Sequence, residues 1–277
     1  MTAPWRPRER GRRLGGAPAG VVLALVALAA GGEASADDIE LPYARHFEAP
    51  EGWPRIAVVI TGLGLSRAAT SSAIRLPGGV TLGFSSHAPD LQKWIDLARA
   101  AGHEVILELP MEPMNYPEVD PGPNPLLTSL SRAENLERLQ WHLDRATGYV
   151  GVTPNMGARF VASPDDLRPV LVALKTRGVM FLDAGATSQS AAAQLAPAIG
   201  LSRAISNRVL DAHASRTEID KQLAAIARIA RRAGAAVAVG HAFPVTLERL
   251  DEWLPTLAEN GLALVPISGV VDRQLPP

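Results

Sequence analysis

The 277-residue chain contains no cysteine. That removes disulfides, thiolate metal sites and cysteine nucleophiles together, and it is compatible with an oxidising compartment. Lysine is almost missing too: it stands only at Lys93, Lys175 and Lys221, while arginine, alanine, glycine and proline are abundant. We read this as a compositional bias rather than a phosphate-binding surface, and with a formal net charge of −1 nothing in the bulk composition points to nucleic acid. No G-x-S-x-G elbow occurs, and the adjacent Ser85, Ser86 and His87 are neighbours in sequence with nothing there to show that any Ser and His meet in space, so a serine hydrolase has little support. The longest apolar run, Ala17 to Ala30, is shorter than the roughly 20 residues of a membrane-spanning helix.

What surrounds that run reads as a secretory signal. "RPRERGRR" supplies the cationic start, "APAGVVLALVALAA" the apolar stretch and Ala34-Ser35-Ala36 a small-x-small cleavage site. Residues 1–36 are therefore expected to be a signal peptide, with an uncleaved anchor as the alternative, and the mature protein to be periplasmic or secreted with no stable membrane span. Its loss takes five Arg and two Glu from 27 basic and 28 acidic side chains, leaving a net charge of −4, which does not suit an anionic lipid surface. Residues 37–54 carry three prolines and no sustained period, as in a tether or an arm lying on the domain.

One domain, 55–277, follows. Short aliphatic runs ("RIAVVI", "VTLGFS", "EVILEL", "YVGVTP", "VMFLDA", "AISNRVL", "AVAVGH", "LALVPIS") alternate with segments of helical spacing. Gly102, Gly178, Gly234 and Gly261 stand where helix C-caps belong, and Ser131 with Glu134 makes a capping box. Seven to eight such units predict an α/β fold with parallel strands, a distorted (β/α) barrel, with a doubly wound open sheet as the alternative. In either, loops after the strands form the site. That rule selects Glu108 and Glu112 from "ELPMEPM", Asn155 and Arg159 from "TPNMGARF", Asp183, Asp211, His87, His213 and His241, and sets aside His46, His103 and His142. Each acid alone could equally cap a helix or hold a turn.

The segments "IAVVITGLG", "ELPMEPM", "GPNPLLTSLS", "GVTPNMGARF", "FLDAGATSQS", "LDAH" and "VAVGHAFPVTLERL", in this order, resemble the divergent polysaccharide deacetylase family, in its YibQ-like branch. The resemblance runs from Arg55 to about Val271. It implies a barrel of the deacetylase superfamily in which a divalent metal, usually zinc, activates water against an N-acetyl group on a sugar polymer, with a general acid and base. The resemblance also exposes departures. Family members typically carry Asp where Thr61 stands and often a second where Gly62 stands. Their His before "MGS" is Asn155 here, the Ser of "MGS" is Ala158, and "DS" with its Arg has become Asp183-Ala184-Gly185. Glu108 replaces a frequent His, and His213 a frequent Asp.

Thr and Asn are poor divalent-metal ligands, so the resemblance leaves no metal ligand to assign and no cofactor to expect, zinc entering only if catalysis survives. Two functions of different class follow. The first is an exported barrel that binds cell-envelope glycan or an N-acetylated oligosaccharide through Glu108, Glu112, Asn155, Arg159, Asp211 and His213. The second is a hydrolase with a rearranged metal shell, using Asp183 as base and His241 as acid. Trp94, Trp141 and Trp253 fall in helical segments and read as packing residues rather than sugar platforms.

Overall fold

The computed structural model describes residues 41–274; the expected signal peptide and the first residues of the 37–54 segment lie outside them. The strands are β1 (Arg55–Leu63), β2 (Thr81–Ser85), β3 (Val105–Met111), β4 (Gly151–Met156), β5 (Met180–Asp183), β6 (Arg203–Ile205), β7 (Arg208–Val209), β8 (Ala235–His241) and β9 (Ala263–Leu264). All pair in parallel, in the order β6-β5-β4-β3-β2-β1-β8-β7, with the two-residue β9 added beside β1. This is the α/β, distorted (β/α) barrel expected from the alternation. The run "AISNRVL" makes two short strands, because Ser206 and Asn207 turn away between them; Asn207 pairs its own amide and side chain with Val237 across the sheet.

The helices are α1 (Arg67–Ala73), α2 (Leu91–Ala100), α3 (Arg132–Leu143), α4 (Ala158–Val161), α5 (Pro164–Arg177), α6 (Ala192–Ile199), α7 (Arg216–Ala233), α8 (Pro244–Trp253) and α9 (Thr256–Glu259). Ser131 opens α3 with the reciprocal capping box, and Gly178 and Gly234 close α5 and α7 in the left-handed conformation.

Central strands such as "IAVVI" are apolar without alternation because both faces are buried. Ile56, Val58 and Ile60 face the helices together with Leu82, Phe84 and Leu107. Ala57, Val59, Ile106, Leu182, Val237 and Val239 fill the inside of the barrel. The lower end of that inner core is sealed by Leu41, Phe47 and Trp53 of the N-terminal arm and by Val265, Ile267 and Val270 near the C-terminus. Glu104, fully buried, ties the two closing segments: it accepts hydrogen bonds from the Arg45 amide (2.7 Å), the Ser268 amide (3.1 Å) and the Ser268 hydroxyl (2.6 Å). Beside the ends of the strand path, the Gln274 amide bridges Ile205 and Asn207. One end of the barrel is thus closed, and the polar side chains gather at the other.

Candidate functional site at the mouth of the barrel

Register places the first members of the site. Thr61 of β1 is paired with His241 of β8, and Glu108 of β3 with Thr153 of β4. Alternation carries the inward face of Ala57 and Val59 on to Thr61, of Ile106 to Glu108, and of Val237 and Val239 to His241. Between β1 and β3 runs β2, whose inward position there is Gly83. A Cβ on Gly83 would lie 3.1 Å from Thr61 Cγ2 and 3.4 Å from Glu108 Oε1. The missing side chain is what lets Glu108 reach over β2 to the end of β1, where its Oε1 accepts the Gly62 amide at 2.6 Å. A glycine inside a strand marks such a close approach, so "VTLGFS" carried a readable signal.

Burial raises the Glu108 carboxyl to about 7, opposed by the Gly62 amide, the positive charge of His241 and the Leu63 amide. Thr61 itself donates to the Gly240 carbonyl at 3.1 Å. Gly62 has φ +79°, exposed, with open space where a side chain would project.

His241 is held by Asp211. The imidazole Nδ1 donates to Asp211 Oδ1 at 2.9 Å, and the His241 amide and the Thr246 hydroxyl donate to Oδ2 at 2.7 and 2.8 Å. The Nδ1 hydrogen bond to the carboxylate raises the pKa of His241 against the effect of burial, with the charges of Asp211 and Glu108 adding to it. Burial acts to raise that of Asp211, but the bonds from His241 and Thr246 outweigh it and hold Asp211 below its ordinary value. Asp211 thereby fixes the tautomer, and the Nε2 edge faces outward from a side chain 48% exposed. Thr246 was not singled out in the sequence; it lies in the first turn of α8, and nothing local to "FPVTLERL" announces its bond to a residue 35 positions earlier.

The other candidates are spent elsewhere. Glu112 accepts the amide and hydroxyl of Thr128 at 2.6 and 2.8 Å and sits 3.6 Å from Arg159, whose Nη2 donates to the Met114 carbonyl; together they fold the loop after β3 onto the start of α4. Asn155 Nδ2 donates to the Pro121 carbonyl of the same loop. Asp183 closes a local turn with the Gly185 amide and alternates onto the face of Phe181, toward the helices. His213 is exposed on the turn before α7.

The Ser85 hydroxyl lies 3.0 Å from His87 Nδ1, and Ser86 meets His142, which the strand-end rule had set aside. The Ser86 hydroxyl lies 2.8 Å from His142 Nδ1, and Nε2 of the same ring lies 3.0 Å from the Asn124 carbonyl. Both side chains are fully buried and burial lowers the pKa of His142 to about 4, so this pair anchors a loop.

The donors at the mouth do not fit a divalent metal. Among the described residues no three carboxylate or imidazole groups are arranged to hold an ion. The amide Nδ2 of Asn155 points its hydrogens at Pro121, Thr61 donates to a carbonyl, and both Asp211 oxygens are taken; a hydrolytic metal needs about three protein ligands.

A family model described as divergent polysaccharide deacetylase matches residues 58–271. The chain belongs to the divergent polysaccharide deacetylase family. A crystal structure of an uncharacterized protein of Agrobacterium tumefaciens C58 is similar over 83% of this chain and 93% of its own, at 36% identity and a TM-score of 0.80. Two curated relatives share less sequence. YibQ of Escherichia coli K12, an uncharacterized protein, is 24% identical over 229 residues, 80% of this chain and 70% of its own. An uncharacterized protein of Haemophilus influenzae is 23% identical over 206 residues, 74% of this chain and 73% of its own. Within this deacetylase-family barrel the mouth holds two hydrogen-bonded groups, Glu108 with the Gly62 amide and Asp211 with His241 and Thr246, while Thr61 donates to the Gly240 carbonyl.

Proposed function

We propose that this protein is exported to the periplasm or secreted, where it binds cell-envelope glycan at the barrel mouth, with side chains rather than a resident divalent metal holding the sugar. The observation that supports this most is the commitment of the mouth's polar atoms. Thr61, Asn155 and Asp211 are engaged by protein partners, while Glu108 has spare lone pairs and His241 an outward ring edge. That is a hydrogen-bonding surface for hydroxyls and amides. The mildly acidic chain gives no basis for a nucleic-acid partner, and no helix among the described residues is long and apolar enough to cross a membrane.

The test is metal analysis of the purified protein together with titration of N-acetylated glucosamine oligomers and peptidoglycan fragments. Binding that survives chelator, with zinc well below one equivalent, is the expected result. Equimolar, tightly held zinc whose removal unfolds the protein would overturn the reading, and so would failure of every glycan to bind.

A second reading is favoured by the Asp211–His241 pair, whose fixed tautomer suits a general acid. As a hydrolase the site would use His241 to protonate the departing amine. Glu108 would take a proton from water, in preference to Asp183, which is held in its own turn. Release of acetate from N-acetylated oligomers, lost in His241→Asn, would establish that activity.

A further inference from the structure

Trp141 does not pack inward, as expected of a tryptophan in a helical segment. It is 40% exposed, whereas Trp94 is buried and Trp53 and Trp253 are half-buried. Its side chain lines a cavity of about 310 Å³, together with Asn124 of the loop after β3 and Glu134, Glu137 and Arg138 of α3. Glu134, Glu137, Arg138 and Trp141 stand at i, i+3, i+4 and i+7, on one face of that helix. Ligand sites run from about 300 to 1,000 Å³, so this volume admits one sugar ring rather than a length of polymer.

The cavity is held in shape. Arg138 Nη1 donates to the Pro125 carbonyl at 2.7 Å, and His142 Nε2 lies 3.0 Å from the Asn124 carbonyl, which pins the loop to the helix. Asn124 has φ +51°, a backbone conformation that asparagine tolerates better than most residues. Arg145 lies over the Trp141 ring, 4.8 Å from its centroid, with its Nε donating to the Ser86 carbonyl at 2.7 Å, and His142 meets the same ring edge-on. A ring so fixed loses little freedom when a ligand arrives.

The chemistry on offer suits a neutral ligand with many hydroxyls. Glu134 and Glu137 are matched in charge by Arg138 and Arg145, so no net charge selects an ion. The Asn124 side chain and the Glu137 carboxylate are engaged by no protein partner among the described residues, and Arg138 keeps donors beyond the one given to Pro125. Donors and acceptors thus stand around an aromatic ring. A pyranose has the matching two-part character, with hydroxyls around its edge and C–H bonds on its faces, and the electron-rich face of an indole receives the latter. A wholly apolar ligand would desolvate Asn124 and Glu137 without pairing them.

We propose that this cavity is an accessory sugar site, holding one uncharged sugar residue against Trp141 with its hydroxyls on Asn124, Glu137 and Arg138. The proposal takes its ligand class from the glycan-binding reading and adds a contact outside the mouth. The two places share a loop: three residues before Asn124, the Pro121 carbonyl accepts from Asn155.

Proton–nitrogen NMR of the protein titrated with an N-acetylglucosamine tetramer tests it through two probes. The Trp141 indole N–H, identified by its loss in Trp141→Phe, reports the cavity, and the His241 imidazole reports the mouth. The Trp141 signal should shift saturably. Asn124→Gly, which suits the left-handed backbone, combined with Glu137→Gln should raise the Kd read at Trp141 about tenfold, a loss of about 1.4 kcal/mol, while the Kd read at His241 stays the same. A Trp141 signal that stays still while His241 responds, or one that shifts with unchanged Kd in the double variant, would overturn the inference and leave the mouth reading intact. Response at Trp141 with none at His241 would keep the cavity and remove the mouth, and no response at either would remove both.

Discussion

Glu104 and Glu108 stand four residues apart along β3 and its approach, on the same inward face, one at the closed end of the barrel and one at the mouth. Both are nearly or fully buried, and in both burial raises the pKa. Their surroundings differ. Glu104 accepts three hydrogen bonds that join the N-terminal arm to the C-terminal segment; Glu108 accepts two backbone amides and faces an open mouth. The same side chain in the same strand is a staple where its lone pairs are filled and a site where they are not. Mutation should therefore separate stability from binding along a single strand.

The largest effect is expected from Glu104→Ala. It leaves the Arg45 and Ser268 amides without their acceptor in a closed region, a loss on the order of 3 kcal/mol or more. Urea denaturation should register it, and arm proteolysis should accelerate, while glycan affinity measured on the folded fraction stays unchanged. An equal loss of affinity would mean that the two ends are coupled and that the contrast between them fails.

Glu108→Gln should behave in the opposite way, losing glycan affinity but little stability, and its signature lies in pH. The folded-state pKa of about 7 lies above the ordinary 4.5. The acid's contribution to stability is therefore complete below the unfolded pKa and disappears as pH rises through the folded one. Over that window the wild type should lose up to about 3 kcal/mol attributable to this group. Glu108→Gln should flatten that part of the curve and be the more stable protein at alkaline pH. A variant curve parallel to the wild type would show that Glu108 is not the buried, raised carboxyl described.

How much of this was legible in the sequence divides along the same line. The strands, the Ser131 capping box, and the glycine stops after α5 and α7 are local patterns, and the structure keeps them. The barrel follows from their repetition. The site is not local. Thr61 looked like a missing acid because the family resemblance puts Asp there; the carboxylate reaching that place belongs to a residue 47 positions later, admitted by the absence of a side chain on the strand between. Likewise Glu112, Asn155 and Arg159 carry the residue types of a site, yet their partners are loop groups 16, 34 and 45 residues away. Residue type and strand-end position narrowed the candidates. Which polar atoms were already engaged depended on distances no periodicity encodes.

A smaller effect, about 1 kcal/mol, is expected from Asp211→Asn on stability, with a clearer one on His241. Its ring loses the carboxylate that raises its pKa, so the imidazole should titrate at lower pH when followed by proton NMR. No downward movement would mean that the Nδ1 contact does not hold in solution.

The finest test concerns the gap over β2. Gly83→Ala would set a methyl 3.1 Å from Thr61 Cγ2 and 3.4 Å from Glu108 Oε1, tight enough that one neighbour must yield a few tenths of an ångström. The price should be about 1 kcal/mol of stability, together with a weakened glycan affinity as Glu108 is pressed from the Gly62 amide. Thr61→Ser removes the Cγ2 methyl but keeps the hydroxyl that donates to Gly240. Alone it should cost less than about 1 kcal/mol, since one methyl at the open end leaves a space the ligand side can fill. In the double variant the alanine methyl moves into the room that Thr61 vacated, so the two changes should cost less together than the sum of their separate effects, the sign of direct contact in a double-mutant cycle. Strict additivity, in stability and in glycan affinity alike, would mean that Thr61, Gly83 and Glu108 do not share one space, and the account of how β3 supplies a carboxylate to β1 would have to be given up.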